Sequence, residues 1–206
     1  MQSRAPTRTK RRRRMKLYKK LPTQARINGR LVPIRTDYRV ALRAFDVIND
    51  RGISDEERAL ACIFLVFGRL PDDDEPWEPW LEKARIFLQC GETAEDQRSR
   101  PADMSFTHDA PLIAASFASD YGIDLHATQM HWWRFVELIG GLTEKSALSR
   151  VREIRNINLS EIKDAKTRMA YAKAKQAVAL PVEHTREQDD AWAAFEAQLA
   201  EGEGAK

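Results

Sequence analysis

Apolar positions recur at helical spacing along most of the chain, most densely between Asp109 and Asn158. Ile113, Phe117 and Tyr121 fall at i, i+4 and i+8 with Leu112 beside them, a stripe that predicts an amphipathic helix. Asp109 is the expected N-cap, and Pro111 sits in the first turn, where its missing N–H costs nothing. Gly122 closes this helix, since glycine accepts positive φ without a Cβ clash. A second helix is predicted from near Thr128, with Trp132, Phe135, Val136 and Ile139 on one face. Met130, Trp133, Leu138 and Leu142 widen that face, and a helix so apolar belongs inside. Gly140 and Gly141 stop it. The pair is expected to be the centre of the core.

The flanking pattern is also helical, with one exception. Arg26 to Ile34 reads as a small hairpin turning at Asn28-Gly29, the favoured type I′ pair, with Ile27 on one side and Leu31, Val32 and Ile34 on the other. A lone hairpin is not stable by itself, so it must pack on helices. Thr36 or Asp37 then caps a helix with Tyr38, Ala41, Leu42, Phe45 and Ile48 on one face. Ser54 and Glu57 form a capping box for the next helix. Leu60, Ile63, Phe64 and Phe67 make that helix apolar almost all round and place it inside. Pro79 opens a further helix carrying Trp77, Trp80, Leu81, Ala84 and Leu88 as far as Gly91. Glu92 to His108 is polar and reads as a long surface loop.

Beyond the central pair, Thr143 opens a helix with Ala147, Val151 and Ile154 facing in. Asn158 and Glu161 are a cap and N3 pair for the longest predicted helix, Leu159 to about Ala179, with Ile162, Ala165, Met169, Ala172 and Gln176 on a narrow seam. Asp164 and Arg168 pair across one turn of it, and Pro181 ends it. A weak amphipathic helix with Trp192, Phe195 and Leu199 on one stripe follows a polar linker. The expected organisation is a basic extension over 1–14, a helical domain with its hairpin over 15–180, and a linker with a weak helix over 181–206. The fold class is mainly α, a multi-helix single domain with a small N-terminal β-hairpin.

Charge changes this picture at one end only. Ten of the 34 Lys and Arg lie in residues 1–20, which hold no acid, so the remainder has 24 bases against all 31 acids, a balance of −7. A basic whole-chain charge of +3 therefore does not imply a basic face on the fold. Met1 to Arg14 lacks apolar periodicity and is expected to be disordered. Lys10 to Arg14 read either as a polyanion-binding arm or as an appendage ahead of a natural start at Met15. Cys62 and Cys90 sit in apolar helical patterns and are expected as buried free thiols. The longest apolar run, Ala59 to Phe67, is well short of the ~20 residues a membrane span needs. No apolar stretch follows the basic start, so it is not a secretory signal.

Candidate chemistry is sparse. Asp72, Asp73, Asp74 and Glu75 crowd the loop before Pro79, but without the alternating ligands, turn glycine and terminal Glu of a calcium loop. They favour the positive end of the following helix dipole instead. Asp120, Asp124, His126 and His131 are the only other dense set of ligand-type residues. The two histidines lie five apart across a connector and need not share a face, so a structural role is expected. There is no glycine-rich phosphate loop, nucleophile elbow or His-Glu-x-x-His. No catalytic, cofactor-binding or metal-ligating residue is assigned, and no enzyme activity or cofactor is expected.

Asp109, Ile113, Phe117, the block Tyr121-Gly122-Ile123-Asp124-Leu125, the block His131-Trp132-Trp133, Phe135, Gly141-Leu142 and Arg155 resemble the bacteriophage "gene product fifteen" family. The resemblance extends from about Tyr18 to Leu180. It implies a small protein of long-tailed phages, encoded close to the tape-measure gene and acting as a tail assembly chaperone in the host cell cytoplasm. The implied partners are the tape-measure protein or tail-tube subunits, with self-association a further option and no membrane. Trp192, Phe195 and Leu199 are the residues assigned to protein binding. A structural component of the virion would be served by the same sequence. A third reading, nucleic-acid binding, uses Lys10 to Arg14 alone and is not expected of the folded body.

Overall fold

A computed structural model describes residues 18–50, 52–91 and 103–181. The hairpin forms as its turn chemistry requires. Strands β1 (Gln24–Ile27) and β2 (Arg30–Pro33) pair antiparallel around Asn28 and Gly29, whose φ values of 46° and 82° suit a type I′ turn. Strand side chains alternate, so Ile27 and Val32 enter the core while Leu31, at 58% exposed, faces solvent rather than joining Val32. The hairpin is anchored at both ends. Arg35 N–H donates to the Val66 carbonyl at 2.8 Å, and Asn28 Nδ2 donates to Glu75 at 2.7 Å. The acidic loop serves this anchorage too: Asp72 accepts from Arg69 at 2.9 Å and lies 3.8 Å from Arg30.

Seven α-helices follow among the described residues: α1 (Tyr38–Asn49), α2 (Asp55–Phe67), α3 (Glu78–Leu88), α4 (Ala110–Tyr121), α5 (Trp132–Gly140), α6 (Ala147–Asn156) and α7 (Ala165–Ala177). α1 packs on α2, α2 on α3, and α5 on α1, while α4 packs on α6 and α6 on α7. The core runs through all but the last. Asp37 caps α1 by accepting from Arg39 N–H at 2.9 Å. Buried positions on α1 are Tyr38, Ala41 and Ala44, while Ile48 at its far end is 41% exposed. The Ser54–Glu57 capping box of α2 is complete in both directions. α2 is not inside on every face: Ala59, Cys62, Ile63, Val66 and Phe67 are buried, but Phe64 is 50% exposed.

The central pair is built differently from its sequence pattern in two respects. α5 starts at Trp132, not near Thr128, because the segment before it is claimed by backbone bonds to another element. Tyr38 N–H donates to the Met130 carbonyl at 2.9 Å, and Trp132 N–H donates to the Thr36 carbonyl at 2.7 Å. These hold residues 130–132 extended against the entry to α1. Asp109, in turn, does not cap α4 with its side chain. Its carboxylate is buried and takes two charged bonds from Arg155, at 2.7 and 2.8 Å, plus Ser105 N–H at 2.9 Å. Burial alone would push this carboxyl up; the Arg155 bonds and the Ser105 amide outweigh it and hold the group below the usual carboxylate range.

The aromatic cluster sits on α5. Phe135 stacks on Tyr38 at 4.5 Å between centroids and on Phe117 at 5.2 Å, and Trp132 packs against Phe45 and Phe106 at 5.6 and 5.8 Å. Both indoles are satisfied: Trp132 donates to the Leu88 carbonyl at 2.9 Å and Trp133 to the Phe87 carbonyl at 2.8 Å. Phe106 was not distinguishable from its polar surroundings, yet it is part of this cluster.

The later helices depart further. α6 is capped by Ser146 rather than Thr143, and its one fully buried residue is Leu148, with Ala147, Val151 and Ile154 half-buried. Leu148 N–H donates to the buried Ser116 hydroxyl at 3.0 Å, which fixes α6 on α4. The long helix predicted from Leu159 is split. Asn158 caps only a single tight turn, Leu159–Glu161, and Asp164 starts α7 by accepting from Thr167 N–H at 2.7 Å. Arg168 therefore donates to the Ile162 carbonyl, at 3.0 Å, instead of pairing with Asp164. α7 buries no residue. Met169 is 75% exposed, so the expected seam is not a core face.

Candidate functional site

α1 packs on α2 and α2 on α3, and an opening lies between them toward the end of α1. Phe45 and Ile48 of α1, Ala59 and Cys62 of α2, and Leu81 and Leu88 of α3 line an open groove of about 560 Å³. Its lining is mostly apolar, with Asp55, Arg58, Arg85 and Gln89 as the polar members. Arg58 is paired with Asp55 and donates to the Asp50 carbonyl at 3.1 Å. Arg85 is held by Glu82 through two bonds of 2.9 Å. A second opening of about 550 Å³ lies against the other flank of α1, among Leu42, Phe45, Met104, Phe106, Leu180 and Pro181. Phe45 belongs to both.

The groove offers contact surface and little chemistry. Cys62 is its one nucleophile-type group, and burial pushes that thiol up to about 11. It stays protonated at neutral pH, whereas reactive cysteines are thiolates in electropositive surroundings. Neither Cys62 nor Cys90 is in a disulfide, and Cys90 is half-buried rather than buried.

Of the residues with metal-ligand character, Asp120, Asp124 and His131 are committed elsewhere. Asp120 accepts from Thr143 N–H at 2.7 Å, and Asp124 from His126 N–H at 2.8 Å. His131 Nδ1 accepts from Trp133 N–H at 3.1 Å, which leaves Nε2–H to donate to the Pro22 carbonyl at 3.0 Å. His131 is thus the cap of α5 and a tether for the N-terminal segment. Among the described residues no three His, Cys, Asp or Glu side chains converge as a metal site would need. No described helix is long and apolar enough to cross a membrane.

The second tight constellation is the Tyr38–Arg39 clamp. Tyr38 OH donates to the Leu125 carbonyl at 2.5 Å, and Arg39 Nη2 reaches the carbonyls of Leu125, His126 and Thr128 at 2.8, 3.1 and 3.0 Å. It fixes the Tyr-Gly-Ile-Asp-Leu connector to α1. The sequence profile described as Bacteriophage Gp15 protein matches residues 17–180, the span that holds these contacts and the groove. The chain belongs to the bacteriophage Gp15 family. Comparison with curated proteins and with solved structures finds no match.

Within this Gp15 family member, the blocks that carry the sequence resemblance are scaffold. Tyr121 OH donates to the Leu138 carbonyl at 2.9 Å, Asp124 closes a turn within the connector, and His131, Trp132, Trp133, Phe135 and Arg155 hold elements together through the contacts described above. The residues assigned to protein binding, Trp192, Phe195 and Leu199, lie outside the described residues, as do 1–14 and most of the loop over 92–108. The sequence does not reveal the groove, because its apolar lining has the same helical spacing as core residues. No surplus of apolar side chains marks it, since its apolar lining from α2, Ala59 and Cys62, is itself buried.

Proposed function

We propose that this phage protein is a tail assembly chaperone that holds apolar helical segments of the tape-measure protein, or of tail-tube subunits, before assembly. It would act in the host cell cytoplasm, by binding and release, with no chemical step and no cofactor. The observation that carries the reading is the groove between α1, α2 and α3. An apolar trough lined by rigid helices suits a partner helix presenting anchors at i, i+3, i+4 and i+7. Its few charges are already paired within the chain, so they can orient a partner without demanding a specific counter-charge. A client that must later be surrendered is better served by such contact than by a buried polar network.

The test is capture from cells co-expressing the protein and its phage's tape-measure protein. Wild type is expected to retain the client. Ile48→Asp, which places a charge on an exposed groove residue, is expected to lower retention about tenfold with an unchanged melting midpoint. Equal retention by the variant moves the site off the groove, and no capture by the wild type ends the proposal.

A further inference from the structure

Building on that reading of the groove, we propose that it is filled, until a partner arrives, by this chain's own segment Gln188–Leu199. The described chain ends at Pro181, and Leu180 and Pro181 themselves line the opening that shares Phe45 with the groove. The tail therefore sets out beside it. Residues 182–187 span up to ~20 Å when extended, enough to pass around α1.

The spacing of the tail's apolar residues suits the groove. Trp192, Phe195 and Leu199 stand at i, i+3 and i+7, the spacing by which a helix lays anchors into an apolar trough. Residues 182–206 hold seven acids against Arg186 and Lys206, a balance of −5, but Arg58 and Arg85 of the groove are already paired with Asp55 and Glu82, so apolar contact rather than charge seats the tail. The family match stops at residue 180, short of this segment. A short linker gives the tail an effective concentration in the millimolar range. An intrinsic affinity of only about 0.1 mM then fills the groove about nine-tenths of the time, and a competing helix binds about tenfold more weakly. Such a tail keeps apolar surface covered and makes entry depend on the strength of the client's own anchors.

The experiment uses the full chain with Trp192→Ala, Phe195→Ala and Leu199→Ala together, beside the chain with its tail intact. Ile48→Cys is introduced in both, and maleimide addition is followed at position 48 by peptide mass spectrometry. Addition is expected to be about tenfold faster in the tail variant, and a fluorescent peptide of residues 188–199 is expected to bind it about tenfold more tightly. Equal rates and equal affinities overturn the proposal. Protection that grows with protein concentration, alongside a dimer mass in light scattering, also overturns it, because the covering tail then belongs to a second copy. Neither arm contains a phage partner. Lost tape-measure capture with tail protection intact refutes only the function proposed above, and equal addition rates with capture intact refute only the tail.

Discussion

Replacing Arg155 by Met tests what holds α4, α6 and the chain's return from α7 together. Arg155 is 11% exposed and Asp109 only 2%. Beyond its two bonds to Asp109, the guanidinium donates to the Asp103 carbonyl at 3.0 Å and to the Val178 carbonyl at 2.6 Å. Removing it leaves a buried carboxylate with one remaining amide donor, Ser105. Breaking a buried pair from one side typically costs ~3–5 kcal/mol, because an uncompensated charge stays in the interior. At this domain size the loss corresponds to a fall of roughly 6–20 °C in melting midpoint. Asp109→Asn should cost less, since Arg155 keeps both carbonyls and lies nearer to water. The double variant Asp109→Leu with Arg155→Met should recover most of the loss, because two apolar groups leave no charge unpaired. Urea melts of Arg155→Met, Asp109→Leu and the double variant form a cycle at neutral pH. The pH dependence follows in sign: the folded Asp109 lies below its unfolded value of about 3.9, so the pair's contribution is complete above that and lost as pH falls through the folded value. The gap between wild type and Arg155→Met should thus narrow on acidification. A single-variant loss below about 1 kcal/mol, or a double variant as damaged as Arg155→Met, refutes the argument.

Two further expectations use the same melts and simple labelling. Trp132→Ala removes a buried indole from the Phe45–Phe106–Phe135 cluster together with its bond to Leu88. It should cost roughly 3–5 kcal/mol, whereas a loss under about 1 kcal/mol would put that face on the surface. Cys62 should resist alkylation at neutral pH in the folded protein and react once urea unfolds it; modification at the rate of an exposed thiol would contradict its burial and raised pKa.

How far the sequence carried the fold depended on whether an element's ends were decided locally. The hairpin turn at Asn28-Gly29, the Ser54–Glu57 box and the Gly122 stop rest on bonds within a few residues, and each formed as its residues require. Thr128 failed as a helix start because the backbone of residues 130–132 bonds to Thr36 and Tyr38, a pairing that no local pattern announces. Asp109 has the look of a cap, and its true partner stands 46 residues away. The split at Ile162 follows from a second cap, Asp164, whose spacing to Arg168 equally suits an ion pair across one turn. The groove is a property of how α1, α2 and α3 come together. Its residues were legible as apolar, but whether an apolar side chain is covered depends on its neighbour's crossing geometry rather than on its own spacing.

The Tyr38–Arg39 clamp has a consequence for the order of events as the polypeptide emerges during synthesis. The carbonyls it grips arrive 86 to 89 residues after it. At ~5–20 residues per second, roughly 4–18 s pass between the appearance of the clamp and that of its targets. Throughout that interval the hairpin, α1, α2 and α3 can associate by local contact, but the opening turn of α1 has no Thr128–Trp132 strand to lie against. Nascent chains stalled before Leu125 should therefore remain sensitive to protease at Arg39, and chains stalled well past Trp132 should not. The clamp works as a checkpoint on the N-terminal half, closed only by the arrival of the middle of the protein.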